Sequence, residues 1–591
     1  MNISDLLTVL TILLAVYAIL PKTKILDIKL RLTALDWLII WLTLLLLLYL
    51  QFYNVFASIG LTPKYNLSRY NLNPNNFSFI VVLLLSLYLL LKTHLVPLAA
   101  CKLDDLKNLF EQLSYEEELG QMVCLLDKHF SKLVKLYTKN KSATEYNVGL
   151  LSDEELINKL NASLTSSTPK PSKLKTLLHN FKQNLNDRTS KRHETRRNII
   201  SDIFKLSLSN PRFVYELSKT NPYLALKILD AEIDIWLKRE FCECYLKELL
   251  STPTSILYSE LNNNQETTSE ARYKIPESNR LLYFLFADAR KAEDIYVWKP
   301  VGEKIIGFLV ELQRNPDKDD YNLPYDRLYE EELLPKCPIK NTILFFDIMV
   351  TEAIYQNIKW HMWLYYFEHI TDHIVKNFNL DNPHVDKEAE FPNRYSYLLY
   401  EMRYTLCRWI SILNYLPADQ ENIQLDDSAL RGNTANIIQS SILALGHCIY
   451  TVSSSTNIPE SFKKYLIEGI FSLYFDIRIW SRVNQKYADL LLESLLKGGQ
   501  QFYKKDEDYN SLVLDTLLHI DTIPLVFDNF KDCLKKVVKH FVGNYGEYDS
   551  KYILLKRLDA NTLQVKSRLL YQDRFERCYK IDSPYQAGIC G

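Results

Sequence analysis

Apolar residues follow two regimes along this chain. Through the first hundred residues they form dense runs, Leu6–Leu20, Leu35–Phe56 and Phe77–Leu91, the last extended by Leu95–Cys101. After Cys101 they recur at helical spacing with charge between them. The first regime predicts membrane spans, because a span needs about 20 predominantly apolar residues. The second predicts amphipathic helices that bury one face.

Leu35–Phe56 is long enough by itself. It places Trp37 and Trp41 near one end and Tyr49, Phe52 and Tyr53 near the other, matching the two interfacial aromatic belts. Phe77–Leu91 reaches spanning length if Lys92 and His94 lie at the interface or if the helix continues past Pro97. Leu6–Leu20 reads as a retained span. A cleaved signal peptide would need a preceding Lys or Arg and a small-residue cleavage site before Pro21, and neither is present.

Loop charges then set the orientation. Lys22–Thr33 carries Lys22, Lys24, Lys29 and Arg31 against Asp27, while Ala57–Asn76 carries only Lys64 and Arg69. Basic loops stay in the cytoplasm. The expectation is an integral membrane protein of about three spans, N-terminus outside and the bulk of the chain cytoplasmic. Asp36 and Lys92 sit at span ends, and no span carries the mid-depth charge that marks a transport or proton path.

Downstream, Leu106, Phe110, Leu113 and Leu119 trace an apolar face through Leu103–Lys139, with Glu116–Glu118 outside it. Ser152 and Glu155 form a capping box, and the Ser/Thr/Pro-rich Asn161–Ser172 reads as a linker. Asn210-Pro211 and Asn221-Pro222 each read as an N-cap with proline at the first helical position. After the second, Leu226, Leu229, Ile233, Trp236, Leu237 and Phe241 trace one apolar face. Helices are expected over Val301–Arg314, over Asn341–Phe378 as one long helix or two in line, and from Tyr395 through Val542. The tail around Asp559–Thr562 is open between hairpin and helix, with a lean to hairpin. The divisions expected are 1–101 as anchor, 102–165 as a juxtamembrane helical segment, 173–380 as a helical domain with a basic stretch, and 381–591 as a C-terminal helical domain. The fold class is therefore mostly α: an N-terminal helical membrane anchor followed by a large multi-helical, solenoid-like cytoplasmic region. No fixed repeat period supports a named repeat family.

Composition narrows the function classes. Glycine is scarce, 14 of 591 residues, against an average of about 7%, which suits helices joined by short loops. The 70 basic and 71 acidic residues nearly cancel, so no global field draws in nucleic acid. The ten cysteines form no CxxC pair, which removes zinc ribbons and thioredoxin-like sites and fits reduced thiols. Motifs for a P-loop, a dinucleotide fold, a nucleophile elbow, a zincin and an EF-hand are missing.

Three weak candidates for chemistry remain. His361, His369 and His373, with Asp372, share part of one predicted helix face, and imidazoles four residues apart can grip a divalent metal ion. Asp294, Glu303 and Glu311 could supply carboxylates to a nuclease-like Mg²⁺ site. Lys173–Arg197, with Arg188, Lys191, Arg192, Arg196 and Arg197, could contact anionic lipid or phosphate, although Phe181 is the one aromatic ring inside it for base stacking. Tyr365, Tyr366 and Phe367, and Tyr395, Tyr397 and Tyr400, read as core or as an interaction groove.

The leading expectation is a non-enzymatic, membrane-anchored helical sensor, scaffold or effector in signalling or defence. Its cytoplasmic body binds a protein partner or ligand, with the bilayer and anionic lipid as further contacts. The alternatives are a membrane-tethered metal-dependent hydrolase or nuclease and a homo-oligomeric pore.

Overall fold

The computed structural model describes residues 22–60, 74–95, 98–139, 192–263, 271–327, 332–358, 363–417, 424–425, 436–499 and 506–520, with parts of 529–589. Leu6–Leu20, Ser152, Glu155 and the Asn161–Ser172 linker lie outside these residues. The protein is mostly helical, and it divides into two compact units, Met1–Phe241 and Cys242–Gly591.

The first unit opens with α1 (Lys22–Arg31), α2 (Ala34–Gln51) and α3 (Pro74–Leu95). The basic stretch expected as a loop is thus a helix, with Leu30 and Arg31 turned inward and Lys24 and Lys29 outward. Leu35–Phe56 is not one helix: α2 stops at Gln51, and Tyr53–Ser58 forms a further short turn of helix. Asp36, in the first turn of α2, accepts from Thr33 N at 2.6 Å and Thr33 Oγ1 at 2.7 Å. It also accepts from the Tyr88 hydroxyl and pairs with Lys92 Nζ at 3.2 Å. The start of α2 is thereby tied to the end of α3, so the two pack as an antiparallel hairpin.

Behind the hairpin lie α4 (Leu103–Tyr115), α5 (Leu119–Lys139), a helix through 192–208 and α6 (Pro211–Thr220). Glu117 takes φ +58° and breaks the amphipathic stretch into α4 and α5. Leu106, Phe110 and Leu113 of α4 are buried as their spacing predicts, together with Met122, Leu126 and Phe130 of α5. Asn210 caps α6, accepting from Arg212 N at 3.0 Å and Phe213 N at 3.4 Å, with Pro211 at the first position. Asn221 does not repeat that role. It closes α6, and its Nδ2 donates to Asp127 on α5 at 3.0 Å, so the next helix begins only at Leu224.

The second unit is built on α7 (Trp298–Arg314), α8 (Pro338–Tyr355), α9 (Leu364–Asn377), α10 (Arg394–Ser411), α11 (Ile437–Ser454), α12 (Glu460–Ile479), α13 (Lys486–Lys497) and α14 (Glu507–His519). Asn341–Phe378 is two helices rather than one. α8 ends before Asn357, which takes φ +57°. α8 buries every residue from Asn341 to Ile354, as an apolar-all-round helix must. α11 is the hub, packed by α9, α10, α12, α13 and α14. In the tail, five short strands form an antiparallel sheet in sequence order. Ile553–Asp559 and Thr562–Ser567 pair as a hairpin within it.

Candidate functional site

Two described helices are long and apolar enough to cross a membrane, and burial separates them. α11 is 67% buried inside the second unit and serves as its core. α2 is only 17% buried, and Phe77–Lys92 within α3 is a shorter apolar helix beside it. Leu35, Leu38, Trp41, Leu42, Leu45 and Leu48 of α2 are each more than half exposed, as are Phe79, Leu83, Leu84, Leu87 and Leu90 of α3. Exposed apolar side chains gathered on two packed helices are the kind of surface that marks a partner or membrane contact. Within this surface Thr43 Oγ1 donates to Ile39 O at 2.8 Å.

The hairpin is fastened to the helical part of its own unit through α1. Asp27 is 3% exposed and accepts from Arg31 Nε at 3.0 Å and from Lys128 Nζ, with His129 Nε2 at 2.9 Å. Lys128 and His129 belong to α5, so one carboxylate joins α1 to α5 a hundred residues on. Burial pushes the Asp27 carboxyl up, but the hydrogen bonds from His129, Lys128 and Arg31 outweigh it and hold the group well below the carboxylate range. Lys22, at the start of α1, adds an exposed pair to Glu118 at 3.1 Å.

The second unit holds a cavity of about 450 Å³, within the size range of small-molecule sites. The end of α7, the turns through Pro316–Asn322 and Leu334–Lys336, and the starts of α8 and α10 line it, and it is open to solvent on one side. Phe308, Leu312, Leu334 and Leu398 supply apolar wall, and Tyr321 and Tyr397 supply rings. Its frame is fixed by hydrogen bonds. Tyr395 donates to Asp319 at 2.9 Å and stacks on Tyr321 at 5.2 Å, while Asn322 Nδ2 donates to Asn377 O at 2.9 Å. Tyr321 OH lies 3.5 Å from Cys337 Sγ, and that sulfur accepts from Lys340 N at 3.4 Å as the N-cap of α8. Burial drives the hydroxyls of Tyr321 and Tyr397 far up, so both stay protonated.

Behind the cavity, α8 and α10 share a buried charge. Asp347 accepts from Arg408, from Trp409 Nε1 at 2.8 Å and from Tyr273 OH at 2.6 Å. One turn on, Glu352 takes both arms of Arg272, at 3.0 and 2.7 Å. Asp347 thus joins α8 to α10, and Glu352 joins α8 to the non-helical segment that holds Arg272.

His369, Asp372 and His373 all lie on α9, and His369, Asp372 and Glu303 meet partners of their own. His361 lies outside the described residues. His369 packs edge-on against Tyr365 at 4.0 Å. Asp372 pairs with His447 Nε2 of α11 at 3.5 Å and accepts from Thr451 at 3.3 Å. That hydrogen bond raises the His447 imidazole, whereas burial and Lys376 lower His373. Glu303 faces Lys247 at 3.2 Å and Lys299 at 3.8 Å, so it is held by cations rather than by Asp294 or Glu311. Among the described residues no three His, Cys, Asp or Glu side chains are grouped to hold a metal ion.

Arg188 and Lys191 lie outside the described residues. Arg192 is exposed on the helix through 192–208, Arg196 is half-buried, and Arg197 lies over the Tyr137 ring at 5.2 Å. Of the aromatic groups, Tyr366, Phe367 and Tyr395 are core, while Tyr365 is 56% exposed. Trp236, expected on a buried face, is 70% exposed with Arg239 over its ring at 5.0 Å. The cavity residues escape sequence reading because they come from four separate stretches without a shared motif. No protein-family model, no curated protein and no solved structure matches this chain.

Proposed function

We propose that this protein is a membrane-anchored helical sensor or effector. The α2–α3 hairpin sits in the bilayer, α1 ties it to the rest of its unit, and the second unit binds a ligand or partner at the cavity beside α8. The observation that carries the reading is the exposed apolar face of the hairpin. Each half-exposed leucine returns roughly 1 kcal/mol on leaving water, so the face contributes on the order of 10 kcal/mol to bilayer insertion. An antiparallel hairpin brings the chain back to the side it left, which sets α1 and the bulk of the chain on one face of the membrane. The basic residues Lys22, Lys24 and Lys29 favour the cytoplasmic face, and Leu6–Leu20, as a further span, puts the N-terminus outside. In this role the anchor localises the body.

Alkaline carbonate washing of membranes tests the anchor. The full chain is expected to stay in the pellet, and a variant with Leu42, Leu45, Leu84 and Leu87 changed to Asp is expected in the supernatant. Release of the unaltered chain by carbonate overturns the reading.

A further inference from the structure

The charges around the cavity select among ligands, an inference that rests on the reading of that cavity as the ligand site. Three cations reach the wall from separate segments: Lys318 from the turn Pro316–Lys318, Lys336 from Leu334–Lys336, and Arg394 from the first position of α10. Among the described residues no carboxylate pairs with Lys318 or Lys336. Arg394 is oriented by its Nη1, which donates to Asp320 O at 3.3 Å. Two carboxylates, Glu311 and Asp320, share the lining and are exposed, as Lys318 and Lys336 are, so the lining carries three cations to two carboxylates.

The helix ends tip the balance the same way. α7 meets the cavity with its C-terminal, negative end, which the chain itself answers. Arg314 lies in the last turn, and Asn315 donates its N–H and Nδ2 to Glu311 O at 3.0 and 3.2 Å. α8 meets the cavity with its N-terminal, positive end. Its cap there is the Cys337 thiol, a weak acceptor, and its first turn contains Lys340 and no acid. An 18-residue helix thus turns its positive end toward the space, and the nearby Glu401 carboxylate is taken up by Lys340. The apolar wall of Phe308, Leu312 and Leu334 completes the selection, since it favours a hydrophobic body over a small hydrated ion.

We propose that this cavity binds a small organic anion, with a carboxylate or phosphate-type group on an apolar or aromatic body. The charged group is held among Lys318, Lys336 and Arg394, and the body lies against Phe308, Leu312 and Tyr321.

Three probes that share an indole ring separate charge from shape: indole-3-acetate, indole-3-acetamide and tryptamine. Binding is read by saturation-transfer NMR on the full chain in lipid nanodiscs, with empty nanodiscs as the blank. Indole-3-acetate is expected to bind about fivefold tighter than the amide, with tryptamine weaker again. In Lys318→Glu/Lys336→Glu, two exposed changes that leave the core intact, the order reverses. Leu334→Trp, or Asn315→Trp should the first variant melt early, fills the space and removes all three signals. If tryptamine or the amide binds the unaltered chain as tightly as the acetate, the anion assignment is overturned while the ligand site stands. If no probe gives a signal that the filling variant removes, the ligand-site reading itself fails, and the anion assignment fails with it.

Discussion

Removing the Asp347 carboxylate is the sharpest test of how the second unit is held. Asp347 is 6% exposed on α8 and is the one acid that faces Arg408, Trp409 Nε1 and Tyr273 OH together. Asp347→Ala strands the Arg408 guanidinium, whose side chain is 11% exposed, without its counter-charge. Breaking one side of such a pair costs about 3–5 kcal/mol. The orphaned indole N–H and phenol add to this at about 1–3 kcal/mol each where they stay dry. A single-site loss of about 5 kcal/mol or more is therefore expected, near the whole stability of many domains. Arg408 also contacts Thr351 Oγ1 at 3.1 Å and lies 4.4 Å from the centre of the Tyr273 ring. Arg408→Met keeps most of that packing, so Asp347→Leu combined with Arg408→Met is expected to recover at least half the loss. Urea unfolding followed by tryptophan fluorescence reads this directly, because Trp409 sits in the network. A loss below about 1 kcal/mol for Asp347→Ala, or a double variant no better than the single one, refutes the claim that a desolvated charge pair joins α8 to α10.

Other consequences come from the same physics. Asp27→Asn is expected to destabilise the first unit by about 2–4 kcal/mol by leaving buried Arg31 without its counter-charge, read as faster amide exchange in α1 and α5. Because the folded-state Asp27 carboxyl lies below its ordinary value, its stabilisation is present above the unfolded pKa and is lost as the pH falls through the folded one. Glu293 behaves oppositely. Burial, then the neighbouring Asp294 charge, raises it to about 7, and its Oε1 is buried without a hydrogen bond. Its contribution is therefore greatest below the usual glutamate range and declines as the pH rises toward 7. Glu293→Gln is expected to flatten that decline and to gain about 1–2 kcal/mol at pH 8, after discounting for partial exposure, measured by urea midpoints at pH 5 and pH 8. Asn210→Ala removes the cap of α6 and is expected to cost about 1 kcal/mol by the same titration.

What was legible in the sequence was whatever is local. Leucine density announced α2 and α3, Asn210-Pro211 announced the start of α6, and the apolar-all-round run Ile343–Val350 announced the buried α8. Long-range partners hid the rest. α1 reads as a basic loop because Asp27 and Arg31 look solvated until Lys128 and His129, far along the chain, take them into the core. Asn221-Pro222 carries the same cap signal as Asn210-Pro211, yet Asp127 captures its side chain. The long helix expected over Asn341–Phe378 was interrupted at Asn357, a positive-φ residue that spacing alone does not reveal. Trp236 looked like core by periodicity, but Arg239 covers its ring at the surface instead. The cavity lay beyond reach, since no local pattern says that residues near 311, 321, 337 and 394 will face one space.

The central claim is a bilayer hairpin that returns the chain to its starting side. It is tested most directly by reporter insertions in the full chain at three points: between Leu32 and Ala34, after Gly60, and at the C-terminus. A reporter active on one side of the membrane only is expected to score the first and last positions alike, on the cytoplasmic face, and the Gly60 position opposite. If the Gly60 reporter shares the side of the other two, α2 and α3 do not cross the bilayer and the account is contradicted.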